Sequence, residues 1–456
     1  MRDSIIQIVY YVSAVLFILG LKRMSSPKTA VSGIHMAGIG VLLAILVSFF
    51  FPGMHNFALM LLAISLGSII AFLAAKKVVM TAMPEMIAMF NGMGGGAAAA
   101  IAAVELFKVT FSANVQMPMT LFLLAIFGAL IGAASFSGSI LAFFKLRNWL
   151  KNVYFPLQQQ INLGVLFITV LLGIIFYFSH ATLIFLLFFL SCLAYGVLLT
   201  MSIGGADMPV VIALFNAFTG LAVACEGSVV NNIAMIIAGT IVGSSGTLLT
   251  ILMAKAMNRS ISNILFVRFG STKSVNSATG QTQAMEIEDV ASMLNFVNKV
   301  IFVPGYGMAL AQAQQKVWEL ASLLIDKGIE VKFAIHPVAG RMPGHMNVLL
   351  AEAGVPYDYI SDMEEINPEF ATTDIVIVIG ANDVVNPAAR TDKTSPIYGM
   401  PILNVDQAKQ IFVIKRGQGK GYAGIENLLF SNKKCHMIYG DAKDVISKMI
   451  ASLKEQ

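Results

Sequence analysis

The chain has 456 residues, of which 57% are hydrophobic and 12% charged, and its mean hydropathy is +0.78. This composition excludes an ordinary soluble globular protein, and the length leaves room for several membrane spans and one domain of common size. The net charge is only +5, but residues 1–260 carry 12 basic and 5 acidic side chains, whereas residues 261–456 carry 18 and 20. The near-neutral second part argues against a nucleic-acid partner, and three scattered cysteines form neither a metal-binding spacing nor a disulfide framework.

Nine apolar stretches in the first part are long enough to cross a hydrocarbon core of roughly 30 Å as helices. They lie near residues 4–21, 34–52, 57–75, 84–106, 119–144, 161–178, 181–201, 208–225 and 229–254. The fourth and eighth are rich in Gly and Ala, which suit close helix packing better than lipid contact. The sequence therefore predicts a polytopic α-helical membrane domain of about nine spans over residues 1–262.

The loops between these stretches differ in charge from one side to the other. One side carries ten basic residues and the other carries Arg2 and Lys108. The ten are Lys22, Arg23, Lys28, Lys76, Lys77, Lys145, Arg147, Lys151, Lys255 and Arg259. Because cytoplasmic loops are enriched in Lys and Arg, this asymmetry predicts an N-terminus outside and a C-terminal domain in the cytoplasm. That orientation requires an odd number of spans, in agreement with nine.

An internal repeat lies within the membrane domain. Residues 83–91 (Met-Pro-Glu-Met-Ile-Ala-Met-Phe-Asn) recur at 208–216 as Met-Pro-Val-Val-Ile-Ala-Leu-Phe-Asn. In the helices that follow, Gly128-x-x-x-Gly132 corresponds to Gly239-x-x-x-Gly243. Both copies start on the cytoplasmic side, which predicts a parallel repeat of helix pairs. Each proline occupies a first helical turn, where it costs no hydrogen bond.

The repeat places two asparagines, Asn91 and Asn216, at equal depth in the membrane, roughly 10 Å beyond their prolines. One interpretation is that they join helices by bonding each other or a backbone carbonyl; the other is that they line a hydrated proton path. Asp207 precedes the second proline and can cap its helix. With Glu85, it is expected at the cytoplasmic mouth.

Three further ionisable residues lie in or near the predicted spans. His35, near the start of the second span, can exchange a proton near neutral pH, although a lone histidine there is also compatible with a satisfied interfacial residue. Glu105 and Glu226 lie near external helix ends, where we expect both to contact water.

The second part of the chain predicts a soluble α/β domain. Residues 263–283 have the composition of a linker. In residues 284–456, buried strands are expected at 300–303, 331–335, 375–379 and 411–414, and helices near 286–297, 309–327, 343–354 and 441–453. Strands alternating with helices indicate a doubly wound, Rossmann-like parallel sheet.

The first of these strands runs into Gly305-Tyr306-Gly307 and then a helix. This order lets a pyrophosphate approach backbone amides at a helix N-terminus, although the third glycine of the usual fingerprint is absent. The second strand ends in His336-Pro337, without an acidic residue for a ribose 2′-hydroxyl. That ending disfavours NAD and permits NADP.

Three more loops are predicted on the carboxyl side of the sheet, at 338–343, 380–383 and 415–422. The last combines Lys415 and Arg416 with three glycines, which suits a phosphate monoester held by charge-assisted hydrogen bonds. The alternative is a solvated basic loop without a ligand.

These segments strongly resemble the β subunits of proton-translocating NAD(P) transhydrogenases, and the resemblance covers essentially the whole chain. It is most specific at 203–209, 304–314, 336–353, 380–389 and 415–424. It implies an NADP(H)-binding soluble domain, most of a proton channel, and a separate α subunit that binds NAD(H). In such enzymes hydride passes directly between the two nicotinamides, and inward proton movement drives formation of NADPH from NADH.

The resemblance also implies a homodimer of α–β units in the lipid of a bacterial inner membrane, and roles for individual residues. Asp383 is expected near the nicotinamide, Lys415 and Arg416 at the 2′-phosphate, Arg341 and its neighbours at the pyrophosphate, and Tyr422 on a lid. The full set of expected cofactor contacts is Gly305, Tyr306, Gly307, Val338, Ala339, Gly340, Arg341, Met342, Pro343, Gly380, Ala381, Asn382, Asp383, Val384, Gly399, Met400, Lys415, Arg416, Gly417, Gln418, Gly419, Lys420, Gly421, Tyr422, Asp441 and Ala442.

The expected proton path consists of His35, Asn91, Asp207 and Asn216. Some family members have a histidine in the fourth span, where this chain has Asn91; others use a histidine of the second span, which His35 matches. A membrane transporter gated by an NADP(H)-sensing domain is the alternative function, and an NAD-binding α partner is what distinguishes the two. No metal ion is expected in either case.

Overall fold

The computed structural model describes residues 2–51, 54–111, 117–147, 149–150, 157–204, 207–257, 260–261, 283–395, 397–417, 419, 421 and 423–455. The chain forms two compact units, Met1–Thr250 and Ile251–Gln456. The predicted linker lies outside the described ranges except for its last residue, Gln283, which already belongs to a β-strand.

The described part of the first unit contains nine helices long and apolar enough to cross a membrane, which confirms the predicted architecture. They are α1 (Arg2–Met24), α2 (Pro27–Ser48), α3 (Phe57–Lys77), α4 (Met83–Phe111), α5 (Met119–Leu146), α6 (Gln158–Ser179), α7 (Thr182–Met201), α8 (Met208–Val229) and α9 (Ile233–Ala256). Both repeat prolines lie in a first helical turn, as predicted.

The repeat is visible in how its helices pack. A Cβ atom on Gly95 of α4 would lie 2.9 Å from the Gly132 carbonyl of α5, and one on Gly220 of α8 would lie 2.9 Å from the Gly239 carbonyl of α9. Backbones that approach this closely leave no space for a side chain, so glycine is required at each contact. The pairs α4–α5 and α8–α9 therefore pack through small residues in the same way.

The first two helices form a close pair, and the third is exposed. Helix α2 packs on α1, where Gly20 and Gly33 bring the two backbones together and Tyr10 bonds Ser48 at 2.9 Å. Among its described residues, α3 has none that is buried. Its surface is apolar all round, as expected of a helix that faces lipid or another subunit.

The second unit is built on a seven-stranded, all-parallel sheet. The strands are β1 (Gln283–Ala284), β2 (Lys299–Pro304), β3 (Glu330–Ile335), β4 (Ile360–Asp362), β5 (Ile375–Ile379), β6 (Gln410–Lys415) and β7 (Cys435–Tyr439), in the order β1-β7-β6-β5-β2-β3-β4. The strand order reverses between β2 and β5, which makes that position the topological switch point of a doubly wound sheet.

The four predicted strands are β2, β3, β5 and β6, and the Rossmann-like class is confirmed. The other three were missed because β1 and β4 are too short to show a pattern and β7 contains a polar histidine. The helices of this unit are α10 (Ile287–Leu294), α11 (Tyr306–Leu310), α12 (Gln314–Asp326), α13 (His345–Glu352), α14 (Met363–Ile366), α15 (Ala388–Thr391) and α16 (Ala442–Glu455). Short 3₁₀ turns occur at Met80–Ala82, Tyr357–Tyr359, Asn367–Thr372, Asp383–Val385, Val405–Gln407 and Leu428–Ser431.

Two of the predicted helices were wrong in their extent. The helix expected at 309–327 is divided into α11 and α12, because Gln312 has a left-handed backbone (φ 49°). The helix expected at 343–354 begins only at His345, because Gly344 has a φ of 66°. Both breaks place a turn next to the carboxyl edge of the sheet.

Candidate functional site

The loops after β2 and β5 touch at the switch point. The Gly305 amide donates to the Ile379 carbonyl (2.9 Å) and the Gly307 amide to the Gly380 carbonyl (3.0 Å). A Cβ atom on either glycine would lie 2.6 Å from the backbone of the β5 loop. The Gly-x-Gly sequence is thus explained first by contact between two loops, and both glycine amides already have protein acceptors.

The loop after β3 is fixed by two buried histidines. The Val338 amide donates to His336 Nδ1 (3.2 Å), so His336 Nε2 carries the proton and donates to the Pro401 carbonyl (2.8 Å). The Arg341 amide likewise donates to His345 Nδ1 (3.1 Å). His345 Nε2–H, which is buried, has no hydrogen-bond acceptor among the described residues.

Burial keeps both of these histidines neutral. It lowers the pKa of His336 from 6.5 to about 4, with the hydrogen bond to Pro401 opposing the shift. It also lowers the pKa of His345 to about 4, and the positive charge of Arg341 adds to that effect. The Arg341 guanidinium lies 4.4 Å from the centre of the Tyr306 ring, so the β2 and β3 loops meet through a cation–π contact.

The loop after β6 brings two cations to the same edge of the sheet. Lys415 Nζ donates to the Gly419 carbonyl and lies 4.8 Å from the centre of the Phe430 ring. Arg416 forms an ion pair with Asp441 at 2.7 Å. Burial lowers the pKa of Lys415, and the charge of Asp383 opposes that shift.

Space is open beside this loop. A Cβ atom on Gly417 or Gly419 would meet no other atom within 4 Å. Three of the residues expected to contact the cofactor, Gln418, Lys420 and Tyr422, lie outside the described part of the chain.

Asp383 connects the β5 and β6 loops. Its Oδ2 atom accepts a hydrogen bond from the Ala423 amide (2.9 Å), and its carboxylate fills the space that a side chain on Gly421 would need. Asn427 supports the same contact by donating to the Asn382 carbonyl at 2.9 Å. Asn427 and His345 were not identified from the sequence, because their roles depend on contacts between distant segments.

The remaining expected residues surround this edge. The Leu403 amide donates to the Val384 carbonyl (3.0 Å) and the Gly399 amide to the Ala389 carbonyl (2.8 Å), so the segment with Met400 packs against the β5 loop. Asp441 lies just before α16, and its Oδ1 atom accepts a hydrogen bond from the Lys443 amide at 3.0 Å. The expected residues lying within the described ranges are therefore on the loops that follow β2, β3, β5, β6 and β7, or on the segment packed against them.

The residues present suit an anionic dinucleotide. Three cations, Arg341, Lys415 and Arg416, lie on loops at one edge, where glycines leave open space. The buried Nε2–H of His345 supplies a hydrogen-bond donor close to Arg341. Within the described residues no group of His, Cys, Asp and Glu has the arrangement of a metal site.

In the membrane unit, four side chains form what we call the central polar cluster: Asn91, Ser135, Ser139 and Thr219. Asn91 Nδ2 donates to Ser139 Oγ at 2.9 Å and lies 3.5 Å from Ser135 Oγ. Ser135 donates to the Phe215 carbonyl (2.9 Å) and bonds the Thr219 hydroxyl at 2.6 Å. Asn91 thus bonds serine hydroxyls, not Asn216 or a carbonyl as one interpretation expected. The serines, four residues apart on one face of α5, were missed.

The other residues of the expected proton path are more dispersed. Asn216 is half-buried and follows Phe215 on α8, whereas His35 is exposed on α2, which packs on α1. Asp207 and Glu85 are buried where α8 and α4 begin. The predicted cap is wrong, because the Asp207 side chain makes no capping hydrogen bond to α8.

Two buried groups correct the expectations for charged residues of this unit. Lys145 Nζ donates to the carbonyls of Thr200, Met201 and Ile203 (2.9, 2.6 and 3.0 Å) and so satisfies the end of α7. Glu226, expected in water, is 0% exposed. Glu105 is partly exposed, as expected, and pairs with Lys108 at 2.6 Å.

A polytopic membrane domain joined to a Rossmann-like sheet with cations at its carboxyl edge defines a membrane protein with a nucleotide-binding domain. The family of NAD(P) transhydrogenase beta subunits matches this chain over residues 6–452. Two relatives from Rhodospirillum rubrum, both named NAD(P) transhydrogenase subunit beta, are 45% identical over 469 aligned positions, which cover 99% of this chain and 100% of each relative. The chain belongs to the NAD(P) transhydrogenase beta subunit family, and the resemblance noted in the sequence is confirmed.

Proposed function

We propose that this chain binds NADP(H) and, with an α subunit that holds NAD(H), couples hydride transfer from NADH to NADP⁺ to inward proton translocation. The observation that carries the nucleotide assignment is the position of Lys415 and Arg416. They lie at the end of β6, one strand from β5 and its loop at the switch point of the sheet. A phosphate beyond the pyrophosphate would meet two cations there.

The β3 loop agrees with a cofactor whose adenosine ribose is held elsewhere on the sheet. In NAD-binding sheets of this kind an acidic residue after the second strand binds the ribose 2′-hydroxyl. Here the corresponding residue is His336, which is buried, neutral and bonded to a carbonyl. With its 2′-phosphate on the β6 loop, the adenosine end of the cofactor lies on the β6–β7 half of the sheet.

The site residues bind and position the cofactor and provide no acid or base for the reaction. Bound NADP(H) supplies the nicotinamide carbon that gives or accepts hydride. The Arg341 guanidinium offsets the charge of the pyrophosphate, the Nε2–H of His345 donates a hydrogen bond to it, and Asp383 holds the β5 and β6 loops together beside the nicotinamide. The glycines at 305, 307 and 380 keep the loops close enough to form one surface.

In the membrane unit we assign the proton path to His35, the central polar cluster, Asn216 and Asp207. His35 loads and releases the proton, and Asn91 and Asn216 hold water at another level of the path. The excess of Lys and Arg in the loops on one side supports an orientation with the starts of α4 and α8 in the cytoplasm and the N-terminus outside. We further propose a bacterial inner-membrane location, surrounding lipid and a homodimer of α–β units.

Calorimetry on the purified full chain in detergent tests the nucleotide assignment. NADP⁺ and NADPH should bind at least about tenfold more tightly than NAD⁺ and NADH, a difference of about 1.4 kcal/mol. Equal affinity for both cofactor pairs would overturn it. Hydride transfer on addition of the α subunit then separates the enzyme from a transporter gated by NADP(H), which binds the same cofactor without transferring hydride.

A further inference from the structure

Glu226 is a buried carboxyl group of the membrane unit that the roles above do not use. Its side chain is 0% exposed, and neither carboxyl oxygen has a hydrogen-bond partner among the residues that the structure describes. A lone carboxylate in such surroundings costs several kcal/mol, and the neutral acid costs far less. The structure therefore fits Glu226 in its protonated form.

The carboxyl group is held within the helix bundle. It lies against Gly128 of α5, where any larger side chain would collide with Oε1. Gly128 is nine residues from the start of α5, which corresponds to about 13 Å along the helix. Glycine at this position creates the space that the carboxyl group occupies.

Glu226 is aligned with the central polar cluster. Helices α5 and α8 are antiparallel, and Ser135 on one bonds Thr219 on the other. Gly128 precedes Ser135 by seven residues and Glu226 follows Thr219 by seven. Seven residues are about two helical turns, or roughly 10 Å, and return to nearly the same face. The same seam between α5 and α8 thus carries the polar cluster and, two turns further, the carboxyl group.

An apolar layer separates the two. Ala98, Ile131 and Ala222 pack together on α4, α5 and α8 between the levels of Thr219 and Glu226. Two of these three residues, Ala98 and Ala222, are small, so modest helix separation would admit water. In the structure these helices are in contact, and the apolar layer separates the Glu226 carboxyl group from the central polar cluster.

On its other side Glu226 faces the external end of the bundle. Glu105 of α4 is within electrostatic range of it and is partly exposed beside Lys108. Cys225 is its neighbour on α8, while α5 and the first turns of α9 present no ionisable side chain at this level. Beyond Phe122 lie Tyr177 and His180. Glu105 therefore offers the charged route from Glu226 to bulk water.

We propose that Glu226 is the proton carrier of the external half of the membrane unit; this inference rests on the proton translocation proposed above. During inward movement the Glu226 carboxylate takes a proton from water on the Glu105 side, and the helices close around the neutral acid. When the apolar layer opens, the O–H bond breaks and the proton passes to water beside Thr219. Each step moves one proton and no electron, and the carboxylate is restored at the end.

The test uses the full chain, reconstituted with its α partner in vesicles that contain a pH-sensitive dye. Glu226→Gln preserves shape but cannot ionise, and it should slow the proton-coupled reaction at least about tenfold. Glu226→Asp keeps an ionisable group and should recover part of the rate. Cys225→Ala alters the adjacent side chain and should pump like the wild type. NADP(H) binding should be unchanged in all three.

Pumping by Glu226→Gln at the wild-type rate would overturn the inference and leave the proposed function intact. Absence of pumping in the wild type would instead refute the proposed function. A second measurement avoids variants: the apolar reagent dicyclohexylcarbodiimide, which modifies protonated buried carboxyls, should label Glu226 of the wild-type protein in vesicles. A peptide containing unmodified Glu226 in reagent-treated, inhibited protein would also overturn the assignment.

Discussion

The two units of the molecule organise polar groups in opposite ways. In the soluble unit, polar and charged side chains lie on neighbouring loops at one edge of a parallel sheet, and each loop is a continuous segment of sequence. In the membrane unit, single polar side chains from α4, α5 and α8 meet in an apolar bundle. A candidate nucleotide site can therefore be identified from local segments, whereas a candidate proton path depends on the register between distant helices.

Both units nevertheless use glycine for the same physical purpose. Gly307 brings the β2 loop against the β5 loop, and Gly95 brings α4 against α5. In each case a Cβ atom would lie within 3 Å of a neighbouring backbone. Close backbone approach therefore builds the frame of both sites, and the difference between the units lies in the polar groups that the frame holds.

The largest effect is expected from a change at His35, which should impair the membrane unit and leave the soluble unit intact. His35→Ala should abolish proton-driven transhydrogenation in vesicles, because the variant loses the only histidine within a predicted span, and histidine is the side chain that exchanges protons near neutral pH. Binding of NADP(H) to the soluble unit should survive. His55→Ala, in the loop after α2, is the matched control. Wild-type acidification by the His35→Ala protein during reverse transhydrogenation would refute this role.

Asn216→Leu should have a similar but smaller effect, because it replaces an amide that holds water with an apolar side chain of similar size. Asn216→Ser retains a polar group and should keep a larger part of the rate. The proton-coupled rate in vesicles is the measurement. Equal rates for the Leu and Ser variants would show that no hydrated path runs past this residue.

Substitutions in the β6 loop of the soluble unit should alter its preference for NADP(H) over NAD(H). Lys415→Ala with Arg416→Ala should weaken NADP(H) binding by about 1.5–3 kcal/mol for each phosphate contact removed. The weak binding of NAD(H) should remain almost unchanged. Lys433→Ala with Lys448→Ala removes the same charge from exposed positions and serves as the control. Calorimetry that shows equal losses for NADP and NAD would contradict the assignment of the phosphate site.

Another expected effect concerns the pH dependence of stability in a fragment of residues 283–456. Folding lowers the pKa of His336 from 6.5 to about 4, so the unfolded chain binds more protons between these values. Stability should therefore fall as the pH falls from 6.5 to 4, by about 1.4 kcal/mol per pH unit for this histidine. Below about pH 4 its contribution should stop changing.

Urea unfolding of this fragment across the pH range measures the slope. The His336→Gln substitution should reduce the slope of unfolding free energy against pH by the contribution of one histidine, whatever its effect on absolute stability. An unchanged slope in His336→Gln would mean that His336 is not held neutral by the fold. The carboxylates with lowered pKa values, such as Asp374 and Glu369, lose their contribution only at lower pH, below their ordinary values of 3.8 and 4.5.

Much of the soluble fold could be predicted because its central strands are continuous apolar runs. The edge strand β4 and the two-residue β1 could not, because their pairing depends on neighbours and not on their own composition. The break at Gln312 was missed because local helix preference continues through it. Similarly, glycines and cations in the sequence predicted the loops to which we assign the nucleotide, whereas the role of His345 became visible only through its contact across the β3 loop.

The membrane spans were equally predictable, but their polar contacts were not. Hydropathy places Asn91 in a span without saying which helix it faces. Ser135 and Ser139 resemble ordinary small residues until α4 and α8 are packed on α5. Position near a helix end suggested that Glu226 contacts water, but Gly128 allows the carboxyl group to be buried. The register between helices determines the contacts of Asn91, of the two serines and of Glu226, and composition does not encode that register.

Coupled transport by the wild-type chain decides whether hydride transfer at the soluble unit is linked to proton movement through the membrane unit. The chain is reconstituted with its α subunit in vesicles that expose the soluble unit outward, and hydride transfer from NADPH to NAD⁺ is followed together with a lumenal pH dye. We predict that the lumen acidifies as hydride is transferred, that omission of the α subunit abolishes both signals, and that a protonophore abolishes the acidification. Hydride transfer at full rate without acidification would contradict the coupling of the two units.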